Sequence, residues 1–277
     1  MCNRFEKSSR KHLSRINAFF TFLVKMKILY FTSTGNNLYI AQNLGEELLS
    51  IPQLVNDNIL DIKDDVVGIV FPVYYATSPK MLREYLKKVN ITTDYLFLIA
   101  SYGSDGDQNA LRIMTKTLEK RGMAVNYTNS VLVVDNYLPM FDMAKEKEIK
   151  DENDILNAIN IIKDDILMKK EFKLSKKMFT NVPFIEKVLE STMSKKFKIV
   201  VGKDCSNCQI CTKVCPRGNI ELTEEKPVLG DNCEFCLGCV HHCKNNVLNL
   251  NQEANPDERY INPNIKVSEI MKSNNIK

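Results

Sequence analysis

The chain has no uninterrupted apolar stretch approaching the roughly 20 residues that a bilayer-crossing helix needs, so no membrane span is expected. It also lacks a general basic field. Arg4, Lys7, Arg10, Lys11, Arg15 and Lys25 fall in the first 25 residues against Glu6 alone, which more than accounts for the net charge of +4. The remaining body is close to neutral, which argues against nucleic acid as a partner. Cysteine is missing between Cys2 and Cys205, so a disulfide scaffold running through a small secreted chain is excluded. No Ser/His/Asp set, HExxH or Walker loop is present. What remains is 277 residues with 44% apolar and 26% charged content, a globular balance sufficient for one large domain or two ordinary ones.

Residues 1–25 join basic residues to an apolar run, Ile16 to Val24, without a small-x-small cleavage site. They read as an extension, with the first domain starting at Met26. From there short apolar runs alternate with helical patterns. Ile28 to Phe31, Val66 to Phe71, Tyr95 to Ala100 and Val131 to Val134 predict strands buried on both faces, and Leu54 to Asn56 a weaker one. Helices are expected over Asn37 to Leu49, Pro79 to Val89, Gln108 to Arg121 and Lys145 to Lys169. Such alternation implies a five-stranded, doubly wound parallel sheet over 26–169. A lysine-rich connector (170–196), a cysteine module (197–251) and a polar tail (252–277) follow, the tail being expected to strap one domain to the other.

Eight of the nine cysteines form two identical runs, Cys205-x2-Cys208-x2-Cys211-x3-Cys215 and Cys233-x2-Cys236-x2-Cys239-x3-Cys243, offset by 28 residues. Ile220 and Leu222 recur as Leu248 and Leu250 at the same offset, which marks an internal duplication. Three thiolates at two-residue intervals can hold three corners of an iron-sulfur cube while the fourth completes the other cube. Cluster I would then take Cys205, Cys208, Cys211 and Cys243, and cluster II Cys233, Cys236, Cys239 and Cys215. Paired zinc sites have no use for the third regularly spaced cysteine. The first run ends in Pro216 and the second in Lys244, whose cation would raise the potential of cluster I. His241 and His242 read as packing or as hydrogen-bond partners of sulfur, and Cys2 as a bystander. Eight free thiols call for a reducing cytoplasm.

Three loops follow strands on one sheet edge. Thr32-Ser33-Thr34-Gly35-Asn36-Asn37 offers hydroxyls and backbone N–H groups at a helix start, a phosphate cradle without lysine or arginine. Pro72-Val73-Tyr74-Tyr75 and Ser101-Tyr102-Gly103 add aromatic faces and backbone donors, a set that suits FMN at the topological switch point. Asp105 and Asp107 nearby do not favour an anion.

These loops, together with Asp135-Asn136-Tyr137 and the two cysteine runs, resemble flavodoxins. Beyond that they resemble the fused flavodoxin/two-cluster bacterial ferredoxin proteins of anaerobes known as EFR-family ferrodoxins. The resemblance spans nearly the whole chain from Met26, and it departs where Asn37 stands for the usual terminal hydroxyl residue of the loop. It implies a flavodoxin-like domain followed by a small α+β two-cluster ferredoxin-like domain, with FMN and two 4Fe-4S clusters. The expected function is electron transfer coupling those clusters to FMN, between low-potential redox partner proteins. The alternatives are a flavin-dependent reductase of a small acceptor, and a cluster-only ferredoxin or redox sensor that has lost FMN. Whether the chain is an enzyme or a carrier stays open at this stage.

Overall fold

The computed structural model describes residues 25–172 and 196–276. The N-terminal extension before Lys25 and most of the connector therefore lie outside the described residues. Within them, β1 (Met26–Tyr30) is followed by α1 (Asn36–Leu44), β2 (Glu47–Ser50), α2 (Ile51–Asn56), β3 (Asp61–Lys63) and β4 (Val66–Pro72). Next come α3 (Lys80–Leu86), β5 (Asn90–Thr92), β6 (Tyr95–Tyr102), α4 (Asp107–Glu119) and β7 (Tyr127–Leu132). Helices α5 (Met143–Ile149) and α6 (Glu152–Leu167) complete this part. One parallel sheet runs β2-β1-β4-β6-β7. Counted among its own members the order is 2-1-3-4-5, that of a doubly wound flavodoxin-like fold, with the switch point between β1 and β4.

Successive side chains of a strand point to opposite faces, so each strand feeds two cores. Leu29, Phe31, Val67, Ile69 and Phe71 join Ile51, Leu82, Leu86, Leu111 and Leu118, which puts α2, α3 and α4 on one face. Ile28, Tyr30, Val66 and Val70 join Ile40, Ala41, Leu44, Ile159 and Ile162, which puts α1 and α6 on the other.

Four expected elements are corrected. Leu54 to Asn56 is helical, and the edge strand is Glu47–Ser50, which the apolar periodicity had assigned to the end of the first helix. Gly45 ends α1 because its missing side chain lets the chain close onto β1: a Cβ there would stand 2.9 Å from Ile28 Cδ1. Pro52, in the first turn of α2, then restarts a helix. The last strand begins at Tyr127, ahead of the Val131 start expected, and ends before Val133. The long helix over 145–169 is two helices, because Asp142 and Asp151 each accept an N–H two residues on (from Ala144 and Asn153) and so start separate caps.

The cysteine module adds β8 (Ile199–Val201), α7 (Ile210–Val214), β9 (Ile220–Leu222), β10 (Pro227–Leu229), α8 (Gly238–His241) and β11 (Leu248–Leu250), and the tail adds α9 (Val267–Asn274). The antiparallel pairs are β9 with β10 and β11 with β8. The duplication is conformational as well. Left-handed backbone recurs at the 28-residue offset, at Asn207 and Phe235, Gln209 and Leu237, and Gly218 and Asn246.

The module is not a separate bead. Val134, Leu138 and Met143 share a buried cluster with Ile220, Leu237, Val240, Leu248 and Tyr260. The tail packs α9 against α7 and α2, and the Asn274 amide donates to the carbonyls of Thr32 (2.9 Å) and Val214 (3.0 Å) at once. Among the described residues no helix is long and apolar enough to cross a membrane.

Candidate functional site

The loop after β1 is built around its own backbone. Gly35 N–H donates to Thr32 Oγ1 (3.2 Å), and Gly35 sits at φ +104°, a conformation L side chains rarely adopt. It precedes α1 without any side-chain cap, and the first turn holds no acid. The bond from Tyr39 N–H to the Gly35 carbonyl (2.9 Å) opens the ladder of this nine-residue helix, so the amides ahead of Tyr39 have no partner within it. Such an end favours an anion.

The second loop makes a tight turn in which Tyr74 and Thr77 exchange backbone bonds of 2.7 and 2.9 Å while Tyr75 and Ala76 both take positive φ. This aims Tyr74 at the first loop, its hydroxyl 3.2 Å from Ser33 Oγ. Burial pushes the Tyr74 phenol well up, with smaller contributions from Cys236 and Glu234. Tyr75 meets Tyr137 edge-on, with ring centroids 6.0 Å apart.

These loops enclose a cavity of about 300 Å³ at the carboxyl ends of β1, β4, β6 and β7. Thr32, Ser33, Thr34, Asn36, Asn37, Pro72, Val73, Tyr74, Tyr75, Ser101, Tyr102 and Gly103 all line it. Gly35, expected among them, is not in the lining: a Cβ there would stand 3.0 and 3.1 Å from the Cβ atoms of Asn262 and Ile265, so it faces the tail. The loop is stitched to that tail elsewhere too. Asn262 N–H donates to the Thr34 carbonyl (2.8 Å), and Tyr260 Oη and Asn262 Nδ2 both donate to Asn36 Oδ1 (2.6 and 3.0 Å).

Of the two acids near the third loop, Asp105 lines the cavity. Asp107 instead accepts from Ser130 Oγ (2.6 Å) in the first turn of α4. Asp135, in the loop after β7, also lines the cavity, and burial holds its carboxyl above the usual range, Glu146 adding to the effect.

Among the lining residues that sequence reasoning did not place at this site are Met140, Phe141, Phe235, Cys236 and Leu237. The last three belong to the second cysteine run. Gly238 follows directly, and a Cβ there would stand 3.4 Å from the Ser33 backbone oxygen, so the module sits against the first loop. No local pattern announces this contact, because it joins residues about 200 positions apart.

Within the module the cysteines gather in two groups. Cys205, Cys208, Cys211 and Cys243 line one small cavity together with Lys244. There burial, with the thiols of Cys208, Cys243 and Cys205, pushes the Cys211 thiol up to about 11. Burial and the neighbouring Cys215 and Cys233 likewise push Cys236 well up. Burial, followed by Cys236, Cys233 and Cys215 and to a smaller extent Cys211, likewise pushes the Cys239 thiol well up. Backbone N–H groups point at sulfur in equivalent places: Asn219 to Cys215 (3.3 Å) and Val247 to Cys243 (3.2 Å). All eight thiols are free.

His241 and His242 are both buried and hydrogen-bonded to backbone. Tyr260 N–H donates to His241 Nδ1 (3.2 Å), so Nε2 carries the proton and donates to the Asn136 carbonyl (2.9 Å). Burial pulls the His241 pKa down to about 3. His242 Nδ1 donates to the Gly238 carbonyl (2.7 Å).

The cavity's donor set fits a phosphorylated flavin: an uncapped helix start, hydroxyls, flat aromatic faces and a buried Asn37 Oδ1 that has no hydrogen-bond partner. An amide can present either end to a ligand. In the cysteine loops the left-handed residues Asn207, Gln209, Phe235 and Leu237 alternate with other conformations, a backbone pattern of the kind that forms anion-binding nests. Among the described residues no three His, Cys, Asp or Glu side chains converge on a position for one metal ion.

No protein-family model matches the chain. No curated protein matches it either. Solved structures do overlap with it in part. A short-chain flavodoxin associated with a non-canonical PDU bacterial microcompartment is 13% identical over 50% of this chain and 99% of its own, with a TM-score of 0.32. The Trp repressor binding protein from Bacillus subtilis is 12% identical over 49% of this chain and 95% of its own, at 0.31. Rubredoxin oxygen:oxidoreductase from the anaerobe Desulfovibrio gigas is 13% identical over 49% of this chain and 36% of its own, at 0.31. The fold is defined by the strand order within the chain itself.

Proposed function

We propose that this chain is an electron-transfer protein that holds FMN in the sheet-edge cavity and two 4Fe-4S clusters in the duplicated cysteine module. The observation that carries the reading is that Cys236, from the second cysteine run, lines the same cavity as the helix-start loop and the tyrosine pair. A flavin exchanges electrons in pairs or singly and a cluster singly, so the two together convert between one- and two-electron chemistry.

The chain's own groups would divide the work. Amides at the start of α1 and the hydroxyls of Thr32, Ser33 and Thr34 would bind the phosphate. Tyr74, Tyr75 and Tyr102 would flank the ring and exclude water. Cys233, Cys236, Cys239 and Cys215 would hold the cluster beside the cavity, and Cys205, Cys208, Cys211 and Cys243 the one beyond it. The inner group borders the cavity through Cys236, so its cluster would be the one that exchanges electrons with the flavin. Cys208 of the outer group and Cys233 of the inner group are both exposed, and a redox partner protein would dock at one of those two edges.

Iron, sulfide and flavin determined on protein prepared without oxygen test the reading. Both cofactor types on one chain are expected; colourless protein, or zinc in place of iron, overturns it. A second reading, a reductase of a small acceptor, draws on the cavity rim, where Phe141 and the 64% exposed Met140 leave apolar surface open. Direct turnover of such an acceptor by the purified protein would favour it.

A further inference from the structure

One carboxylate joins the inner cysteine loops to the sheet domain. Glu234 lies between Cys233 and Cys236, and its side chain is 2% exposed. It accepts from the backbone N–H groups of Lys80 (2.9 Å) and Met81 (2.8 Å), where α3 begins without a side-chain cap of its own. It also accepts from Arg217 Nε (2.6 Å) and is ion-paired with Arg217 Nη2. Arg217 follows Cys215 by two residues, is 11% exposed, and reaches on to Glu84 (3.1 Å). Both chain segments carrying the inner group of cysteines are thus tied to α3, one through Glu234 at the helix start and the other through Arg217, which bridges Glu234 and Glu84.

Burying an ion pair is a poor way to gain stability, since apolar groups of similar volume serve as well or better. What it does supply is direction. Two backbone donors and a guanidinium fork fix both oxygens of Glu234, and the next three residues, Phe235, Cys236 and Leu237, line the cavity.

We infer that Glu234, locked by Arg217 and the start of α3, is a positioning residue that sets the spacing between the cavity's flavin and the inner cluster, and so the rate of electron exchange between them. This rests on the relay reading above.

The test uses full-length protein prepared without oxygen. Flavin and iron contents are measured first. A brief pulse of a light-generated one-electron reductant is then applied, and flavin and cluster absorbance are followed as they equilibrate. Glu234→Gln is expected to keep both contents while slowing the exchange about threefold or more, because electron tunnelling falls exponentially with the gap and a misplacement of about 1 Å is enough to register. Glu84→Gln, on the exposed side of the network, is expected to change the rate by no more than about twofold. If Glu234→Gln loses iron, Arg217→Lys, which keeps the charge and alters the fork, is read in the same way. A loaded variant exchanging at the wild-type rate overturns the inference alone. Loss of content in both variants, without slowing in the loaded fraction, assigns the network to stability only and also overturns it. Wild-type protein lacking flavin or iron overturns the relay, and this inference with it.

Discussion

Replacing Gly35 with alanine separates two roles that the loop sequence leaves confounded. If this glycine exists to let phosphate approach the backbone, the variant should lose flavin and keep its stability. The geometry says the reverse. At φ +104° an alanine is held in a backbone region that costs about 1–3 kcal/mol. Its Cβ would also stand 3.0 Å from Asn262 Cβ and 3.1 Å from Ile265 Cβ, inside the ~3.5–4.0 Å optimum for carbon atoms. The tail must therefore yield by several tenths of an ångström, and overpacking of this kind adds about 1–3 kcal/mol. A combined loss of about 2–6 kcal/mol is expected, large against a total of about 5–15 kcal/mol. Urea denaturation followed by circular dichroism measures it. Asn262→Gly, which removes one of the two contacts, should restore part of the loss when combined with Gly35→Ala. A Gly35→Ala protein within about 0.5 kcal/mol of wild type, but empty of flavin, would refute the argument by matching the ordinary scatter of surface substitutions.

Three further outcomes follow from the same geometry. Cys215→Ala should strip the cluster beside the cavity and leave the outer one, so that iron falls by about half; equal spectroscopic loss of both centres would contradict the crossed grouping. Tyr260→Phe removes the hydroxyl that donates to Asn36 Oδ1 and should cost about 1 kcal/mol, the Asn262 amide still satisfying that oxygen; a loss above about 3 kcal/mol would mean the tail depends on this bond alone. Asp135 has its folded pKa raised by burial, so the native state holds that proton more tightly than the unfolded chain does. The sign follows: this group favours folding below its unfolded value, and the benefit is lost as pH rises through the folded value. Asp135→Asn should therefore stabilise the protein at neutral pH relative to wild type, with the gap closing towards about pH 4. Urea midpoints at several pH values check this, and a gap that widens on acidification would be the wrong sign.

The five-stranded parallel sheet was legible because strands buried on both faces are continuous apolar runs, a local property. The places where that reading failed share a cause. Glu47–Ser50 is a short edge strand following a helix, and its apolar pair Leu48-Leu49 extends the helical period; only the close approach of Gly45 to Ile28 turns the chain. The cavity's own loops were recognisable from hydroxyls, tyrosines and glycines at strand ends. The contribution of Phe235, Cys236 and Leu237 was not, since nothing in their neighbourhood distinguishes a cavity wall from a cysteine loop.

By itself the sequence determined the strand-helix alternation, the duplication and the ligand-type spacing of the cysteines, all of which depend on residues close together in the chain. Only the tertiary structure decided that Glu234 would cap α3, that the tail would hold Asn36 and Asn262 against the first loop, and that Cys236 would border the cavity. Those contacts join segments more than 150 residues apart, where pairing is selected by the burial and hydrogen bonding of the whole assembly and leaves no periodic mark on either segment.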